Sequence, residues 1–311
     1  MACTPRAVFV DGAGVRLQVY DYGNPGAPPL ILVHGIQDFA LSLGAVAEGL
    51  CDAYHVVSYD LRGHGESGKP GLYSMSHHMA DLGALLTKLE LDSPVLFGHS
   101  LGGQIAANFA GIFSEVPSAL VSVEGLGPPM RDVDAAPETR RRRARRAVES
   151  LLRPTGALRP MRDVEMAVRL FRSNHSRLAE SDARRLVALG TEAHPDGGVS
   201  WKWDSRVQTT WLSTTPGLTE ERWGWIECPV LVVTGGVSAE FWSRRRGVAI
   251  EEATMSETEL RRRLALFRDC THVDIPEAGH MVHYDAPARL VESARTFLAA
   301  RGLLPEPGGC G

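Results

Sequence analysis

A serine between two glycines is the most reactive-looking position in the chain. Residues 95–103 read VLFGHSLGG, so that Gly98 and Gly102 flank Ser100 at a distance of two residues. The apolar run before the serine predicts a strand, and the pattern of residues 104–113 predicts a helix. A serine at such a strained strand-to-helix turn projects its hydroxyl outward, and glycines remove the Cβ atoms that would collide there. We therefore predict that Ser100 attacks an ester-like carbonyl, and disfavour a capping serine in a glycine-rich turn.

A histidine near the end of the chain is a candidate base for this serine. His280 follows Gly279, after the last predicted strand and before the final predicted helix. From such a loop an imidazole can take the proton of the serine hydroxyl and return it to the leaving group. His283 is the nearby alternative.

These residues need a scaffold, and the chain predicts one from alternating strands and helices. A hairpin is expected at residues 6–10 and 15–20, and six further strands are expected along the chain. They are 30–33, 55–59, 94–97, 119–123, 230–234 and 272–275. Helices are expected at 76–89, 100–113 and 286–299. Short continuous apolar runs alternating with helices indicate an α/β fold with a mostly parallel central sheet flanked by helices.

The alternation stops near residue 128 and resumes near residue 228. We therefore predict a core domain of residues 1–127 and 228–311, interrupted by a helical cap or lid of residues 128–227. Helices are expected at 162–171 and 181–189, and a Trp-rich loop at 201–204. A lid of this kind would lie over the carboxyl ends of the strands, where open α/β sheets bind ligands.

The order and spacing of four motifs resemble the α/β-hydrolase superfamily over nearly the whole chain. They are His34-Gly35, residues 60–67 (DLRGHGES), the elbow at Ser100, and Gly279-His280. Within the superfamily, residues 123–129 and 201–204 resemble serine-hydrolase-like proteins. The resemblance favours His280 over His283 as the base. It implies an oxyanion hole formed by the backbone N–H groups of Leu101 and Ile36.

The third member of the expected triad is displaced from the common family position. Relatives usually carry an aspartate after the strand that corresponds to 230–234, but residues 235–241 read GGVSAEF. Glu124, at the end of the strand beside the elbow strand, and Glu240, in the usual loop, are the two substitutes. We favour Glu124 because a strand end is rigid and Pro128-Pro129 fixes the chain beyond it. A carboxylate here would hold the imidazole tautomer and stabilise the imidazolium.

The expected lid carries an arginine run at residues 140–146, with six arginines. Such a run could bind an acidic substrate or partner. We favour a solvated helix face instead, with Ala147, Val148, Leu151 and Leu152 on the buried side. Several Trp, Met and Phe residues could roof a pocket or serve as ordinary core, and no one of them is assigned a role.

Composition excludes several other classes of function. The formal net charge of −4 gives no general attraction to nucleic acid or to an anionic membrane. No stretch is long and apolar enough to span a bilayer, and the N-terminus does not resemble a signal peptide. Five scattered cysteines suggest free thiols in a reducing cytoplasm. No P-loop, dinucleotide fingerprint or HExxH is present, so we expect no cofactor or metal. The oligomeric state is left open.

Together these patterns predict a cytoplasmic serine esterase, a carboxylesterase that cleaves small to medium acyl esters through an acyl-enzyme. Lactone, thioester and C–C bond hydrolysis are alternatives on the same site. A catalytically weak small-molecule-binding protein is the alternative from another class, because the usual acid is absent. The identity of residue 100 as serine disfavours epoxide hydrolases and dehalogenases, which use an aspartate nucleophile.

Overall fold

A computed structural model describes residues 3–129, 136–152 and 158–305, and an eight-stranded sheet forms its centre. The strands are β1 (Arg6–Asp11), β2 (Arg16–Asp21), β3 (Pro29–Val33), β4 (His55–Tyr59), β5 (Val95–His99), β6 (Ala119–Val123), β9 (Val230–Gly235) and β10 (Cys270–Ile275). Their order across the sheet is β1-β2-β4-β3-β5-β6-β9-β10. Strand β2 pairs antiparallel to both of its neighbours, β1 and β4, and the other pairings in this sheet are parallel. The predicted α/β fold and opening hairpin are confirmed.

The central strands are buried on both faces, which explains their continuous apolar sequences. Successive residues alternate between two cores, so that Ile31 and Val33 pack on one face while Leu30 and Leu32 pack on the other. The first core also contains residues of helices α2 (Met75–Lys88) and α3 (Leu101–Ile112). The second contains residues of α1 (Gly44–Glu48) and α12 (Pro287–Ala300). Burial on both faces holds the parallel strands rigidly in register.

The strand order reverses direction around β3, and this reversal creates the crevice that holds the site. From β3 the chain moves outward to β4 and then returns across β3 to β5. The loops leaving β3 and β5 therefore diverge at the carboxyl edge of the sheet. Open α/β sheets bind ligands at such a switch point.

Between β6 and β9 the chain leaves the sheet and forms a separate layer. It contains α4 (Pro137–Leu152), α5 (Val164–Asn174), α6 (Glu180–Gly190) and α7 (Pro216–Trp223). A hairpin of β7 (Thr191–Ala193) and β8 (Val199–Trp201) and a 3-10 helix (Ser205–Ser213) accompany them. We call this the inserted layer, and the remainder of the described chain, residues 3–127 and 228–305, the sheet-bearing part. A small core that includes Met161, Phe171 and Leu186 joins the inserted layer to Phe39 and Tyr284 of the sheet-bearing part. The layer is thus mixed rather than purely helical.

Helix α4 differs from its predicted orientation. Val148, Leu151 and Leu152 are exposed, Leu152 by 78%. The expectation that they form the buried side of the helix is wrong, while the side chain of Ala147 lies outside the described residues. Arg142 and Arg146 face a cavity described below. The Arg145–Glu149 pair, four residues apart, adds local stability to this 16-residue helix.

Two of the cysteines correct a further expectation. Cys3 and Cys51 form a disulfide across 48 positions of the chain, so the prediction of free thiols is wrong for this pair. Cys228 and Cys270 are free, and Cys310 lies outside the described residues. After β10 the chain continues through α11 (Val282–Asp285) into α12, while α8 (Ala239–Arg246), α9 (Ile250–Ala253) and α10 (Glu257–Leu264) fill the connection from β9. No helix among the described residues is long and apolar enough to cross a membrane.

Candidate active site

Ser100 stands at the sharp turn between β5 and α3. Its backbone lies at φ 51° and ψ −111°, a left-handed region that a non-glycine residue occupies only when its surroundings impose it. Its N–H donates to the carbonyl of Val123 at 2.8 Å, which anchors the turn to β6. A Cβ at Gly98 would overlap the backbone of Gly102, and one at Gly102 would overlap the carbonyl of Val33. The two glycines are therefore required by close backbone packing.

Three side chains from distant parts of the sequence meet at this turn. His280 Nε2 lies 3.0 Å from Ser100 Oγ. His280 Nδ1 lies 2.8 Å from Glu124 Oε2, and both of these side chains are buried. A hydroxyl, an imidazole and a carboxylate are thus joined in one hydrogen-bonded chain. This arrangement can draw a proton from the serine and stabilise the resulting imidazolium.

Glu124 has further hydrogen-bond donors that fix its carboxylate. Its Oε1 accepts from the Gly235 N–H at 2.8 Å, and its Oε2 accepts from the Ser238 hydroxyl at 2.5 Å. Gly235 ends β9 and Ser238 lies in the turn that follows, where relatives usually carry the acid. Ser238 was not foreseen from the sequence, and its place in that turn was the available signal. This segment supplies donors to a carboxylate that enters from β6.

Glu240 is engaged elsewhere. Its two oxygens accept from Arg177 Nη1 and Nη2 at 3.0 and 2.7 Å. Hydrogen bonding to Arg177 lowers the pKa of the Glu240 carboxyl, despite a smaller opposing effect of partial burial. The structure therefore brings Glu124, and not Glu240, into hydrogen-bond contact with the imidazole of His280.

Two aromatic residues of α8 pack against His280, and no sequence pattern singles them out. The Phe241 ring stacks on the imidazole with a centroid distance of 4.0 Å and an interplanar angle of 12°. The Trp242 ring meets it edge-on at 5.3 Å. Such contacts restrict rotation of the imidazole.

The two residues predicted as oxyanion donors, Leu101 and Ile36, follow β5 and β3 respectively. Leu101 is the first residue of α3, where backbone N–H groups have no acceptor within the helix. Ile36 lines the same cavity as Ser100, on the loop that leaves β3. That loop is held in place by His64, whose Nε2 accepts from the Gln37 N–H at 3.1 Å. Gln37 thus contributes its backbone to the bracing of this loop.

Two buried histidines brace the loops beside the site. His34 Nε2 accepts from the Leu61 N–H at 2.9 Å, and its Nδ1 lies 2.7 Å from the Gly35 carbonyl. Burial lowers the pKa of both His34 and His64, so these imidazoles are neutral and accept hydrogen bonds. Arg62 pairs with Asp81 at 2.6 Å in the interior. These residues of the DLRGHG segment are structural in their contacts.

Behind His280 lies a buried polar cluster of Asp38, His99 and His283. His283 Nε2 is 3.3 Å from Asp38 Oδ2, while His99 Nε2 contacts the His280 carbonyl at 2.8 Å. Burial alone would raise the pKa of Asp38, but the neighbouring His283, with His34 and His99, holds it below its ordinary value. The candidate ligand atoms of the cluster lie within 4.8 Å of one another, so these are the described residues best arranged to hold a metal. Asp38 already accepts from the hydroxyls of Ser42 and Tyr284.

A cavity of about 610 Å³ opens above Ser100, a size typical of small-molecule sites. Leu126, Trp211, Trp223 and Trp242 give it apolar walls, and arginines of α4 and α8 also line it. Trp201 and Trp203 instead stack on each other at 4.9 Å and do not belong to this lining. The cavity is bounded by both the sheet-bearing part and the inserted layer.

Fold and site together define a protein of the α/β-hydrolase type. The model of the "Alpha/beta hydrolase family" matches residues 30–293, and the chain belongs to this family. Epoxide hydrolase A of Mycobacterium tuberculosis is 39% identical over 108 residues, which cover 33% of this chain and 34% of that protein. The matched segment is thus about a third of the relative's length.

Solved structures show the same fold over almost the whole chain. A thioesterase domain from the curacin biosynthetic pathway has a TM-score of 0.76 and 24% identity, covering 93% of this chain and 98% of its own. An esterase of Mycobacterium tuberculosis has a TM-score of 0.70 and 21% identity, with coverage of 95% and 92%. These likenesses concern the fold, since one fold supports many chemistries.

Proposed function

We propose that the protein is a serine esterase that hydrolyses carboxylic esters of small to medium acyl chains. The observation that carries the proposal is the hydrogen-bonded chain from Ser100 through His280 to Glu124. Its position at the carboxyl edge of the sheet, beneath a cavity that suits a small molecule, supports the same conclusion.

In the first half of the reaction, Ser100 Oγ attacks the ester carbonyl carbon while His280 Nε2 accepts the hydroxyl proton. Glu124 holds the opposite ring nitrogen and stabilises the imidazolium. The negative charge on the carbonyl oxygen is bound by the N–H groups of Leu101 and Ile36. The tetrahedral intermediate collapses, the C–O bond to the alcohol breaks, and His280 returns the proton to the leaving oxygen.

In the second half, water replaces the alcohol. His280 takes a proton from the water as its oxygen attacks the acyl carbon, and the acyl–Oγ bond then breaks. The proton passes to Ser100, which releases the carboxylic acid and restores the site. Residues 128–227 act as a cap over this site, and residues 1–127 and 228–311 form the core domain that carries the reacting groups.

Lactones, thioesters and C–C bonds beside a carbonyl are alternative substrates for the same triad. The thioesterase-like fold is one reason to retain thioesters. Epoxide hydrolysis stays disfavoured, because position 100 is a serine. The catalytically weak binding protein is less well supported, because Glu124 Oε2 lies 2.8 Å from His280 Nδ1, where a triad carboxylate would act.

A fluorophosphonate probe and a panel of p-nitrophenyl esters of increasing chain length test the proposal. We expect labelling and hydrolysis by the unaltered chain, and loss of both in Ser100→Ala. The rate should fall by about 10⁶-fold, as when a serine nucleophile is removed from a hydrolase. Labelling without ester hydrolysis would favour the lactone, thioester or C–C alternatives. Absence of labelling would favour a binding protein.

The cytoplasmic location is a separate proposal. The Cys3–Cys51 disulfide removes its original support, since such bonds are rare in a reducing cytoplasm. Thiol titration of the denatured chain purified from its native compartment tests it: five reactive thiols would support the cytoplasm. Three thiols would indicate an oxidising location.

A further inference from the structure

The cavity above Ser100 is lined by cationic groups to an extent that a neutral ester does not require. Five arginines line it, namely Arg142, Arg146, Arg245, Arg246 and Arg263. Among the described residues, the lining contains two carboxylates, Glu124 and Glu220, which are bonded to His280 and Arg262 respectively. The chain as a whole has a formal net charge of −4, so this positive surface is local.

Some of these arginines are already engaged with the protein. Arg263 donates to the carbonyls of Leu126 and Pro128 and pairs with Glu259 at 2.7 Å, so its role is structural. Arg142 and Arg146 differ from it, because neither has an acidic partner among the residues that the structure describes. They lie four residues apart on α4 and therefore share one face of that helix.

Arg245 reaches the cavity from the opposite wall. It donates to the Gln208 amide oxygen at 2.9 Å and, among the described residues, has no carboxylate partner. Burial and the charge of the neighbouring Arg246 lower the pKa of Arg245. A bound anion would stabilise the charged form of this guanidinium. Three guanidinium groups thus line one cavity without a carboxylate partner among the residues that the structure describes.

Helix α8 relates this positive charge to the reacting atoms. Phe241 stacks on His280 at 4.0 Å, and the guanidinium carbon of Arg245 lies 6.0 Å from the Phe241 ring. The 6.0 Å separation is near the usual range of a cation beside an aromatic ring. Taken together, the two distances place the guanidinium of Arg245 within about 10 Å of the imidazole. Ser100 and Arg245 line the same cavity, so one extended substrate could contact both.

We propose that the substrate of this site carries an oxyanion group, a carboxylate or a phosphate, which Arg142, Arg146 and Arg245 bind. The proposal rests on the esterase function proposed above and narrows its substrate class to acidic esters. Arginine suits this role because its planar fork binds carboxylate and phosphate through two hydrogen bonds. The apolar part of the substrate packs on Trp211 and Trp242, which line the same cavity.

Matched pairs of acidic and neutral esters test the proposal. Phenyl hydrogen adipate is compared with phenyl hexanoate, which places the anion on the acyl side. The benzoate 4-butyryloxybenzoate is compared with its methyl ester, which places the anion on the alcohol side. A third compound, 4-butyryloxyphenyl phosphate, separates phosphate from carboxylate recognition. We expect kcat/KM of at least one acidic ester to exceed that of its neutral partner about tenfold or more, and sodium chloride to reduce the difference.

The two arginines of α4 are then replaced together, and Arg245 is replaced alone. In Arg142→Gln/Arg146→Gln, and separately in Arg245→Gln, we expect kcat/KM for the preferred acidic ester to fall about 10- to 100-fold, because charge-assisted hydrogen bonds are lost. Hydrolysis of the neutral ester should change less than twofold. The matched control is Arg140→Gln/Arg141→Gln, which removes two charges of the same helix that do not line the cavity. It should leave both rates within twofold.

Failure of this proposal can be told apart from failure of the esterase function. Equal or faster hydrolysis of the neutral esters, or equal loss of both rates in the variants, would overturn acidic substrates while leaving the esterase intact. If no ester is hydrolysed, binding is measured by tryptophan fluorescence with the uncleaved amide 4-butyramidobenzoate and its methyl ester. Tighter binding of the acid, abolished in Arg142→Gln/Arg146→Gln, would still support the oxyanion site. Equal binding would reject it.

Discussion

The sheet-bearing part and the inserted layer use arginine in opposite ways. In the sheet-bearing part, Arg62 is buried and makes a two-pronged pair with Asp81 at 2.6 and 2.7 Å. In the inserted layer, Arg142 and Arg146 face a cavity and have no acidic partner among the described residues. A buried charge without a partner is costly, so the interior pairs its charges, whereas a cavity can leave them to a ligand.

The difference teaches how this molecule divides its tasks. The proposed reacting groups, Ser100, His280 and Glu124, lie on the rigid carboxyl edge of the sheet, where each has defined partners. The groups best suited to choose a substrate come from α4 and α8 instead. Chemistry and selectivity can therefore be altered separately. The predictions that follow examine this separation, beginning with the largest expected effect.

Replacement of the carboxylate on β6 should have the largest effect on activity. In Glu124→Gln we expect kcat to fall about 10³- to 10⁴-fold, since an amide cannot hold the imidazole in the required tautomer or balance its charge. Steady-state kinetics with the best p-nitrophenyl ester measure it. Glu240→Gln is the matched control and should lose less than about threefold, because Glu240 pairs with Arg177. The reverse order would place the acid on α8 and contradict the proposed division, while small equal losses would indicate a Ser–His dyad.

A single methyl group at the elbow should strongly destabilise the sheet-bearing part. A Cβ at Gly102 would overlap the backbone carbonyl of Val33, which cannot move away without disturbing β3. For Gly102→Ala we expect the free energy of unfolding to fall by about 3 kcal/mol or more. Gly44→Ala is the control, because nothing lies within 4 Å of its added Cβ and its backbone is helical. It should be neutral or stabilising by up to about 1 kcal/mol in urea denaturation.

The disulfide should stabilise the sheet-bearing part more than the site. Cys3 and Cys51 close a loop across 48 positions, which restricts the unfolded chain. In Cys3→Ala we expect a loss of about 2–4 kcal/mol in the free energy of unfolding, with kcat unchanged. Thermal unfolding under non-reducing conditions measures it, with dithiothreitol on the unaltered protein as a second route to the same state. Equal free energies of unfolding with and without the disulfide would show that the Cys3–Cys51 bond does not stabilise the fold.

The smallest expected effect is on the pH dependence of stability. It concerns the junction between the sheet-bearing part and the inserted layer. His78 of α2 is buried and lies 3.1 Å from Thr210 Oγ1 of the inserted layer. Burial, followed by repulsion from Arg62, lowers the pKa of His78 to about 3. The unfolded chain binds this proton below about pH 6.5 and the folded chain does not. Stability should therefore fall as the pH decreases from about 6.5 toward 3.

The contribution of this one histidine is about 1.4 kcal/mol per pH unit. His78→Gln should reduce the slope of unfolding free energy against pH by about this amount between pH 6 and 4. The exposed neighbour His77→Gln is the control. An unchanged slope in His78→Gln would mean that acid unfolding is governed elsewhere in the molecule.

Much of the sheet-bearing part follows from local sequence patterns. Strands of apolar residues buried on both faces and a glycine-flanked serine are features that short segments specify without reference to distant ones. The elbow is the clearest case, because the glycines at 98 and 102 and the strained Ser100 belong to one five-residue segment. The position of His280 in a loop after the last strand was readable for the same reason.

The orientation of α4 could not be predicted from the sequence. The arginines of residues 140–146 precede Val148, Leu151 and Leu152 in one helix, and an amphipathic pattern favours burial of the apolar side. The structure exposes these apolar residues and turns Arg142 and Arg146 toward the cavity. Which side of a helix faces inward depends on what lies opposite it, and α4 contacts the 3-10 helix Ser205–Ser213, about sixty positions away along the chain.

The sequence by itself determined the α/β fold, the strained serine turn and a short list of carboxylates, because each depends on residue type and spacing within a segment. Only the tertiary structure decided which of these carboxylates contacts His280. Glu124 meets His280 across 156 positions, and Ser238 joins the carboxylate from a third segment. The Cys3–Cys51 pair and the arginine-lined cavity arise in the same way. Such contacts depend on the packing of distant segments, and no local pattern encodes that geometry.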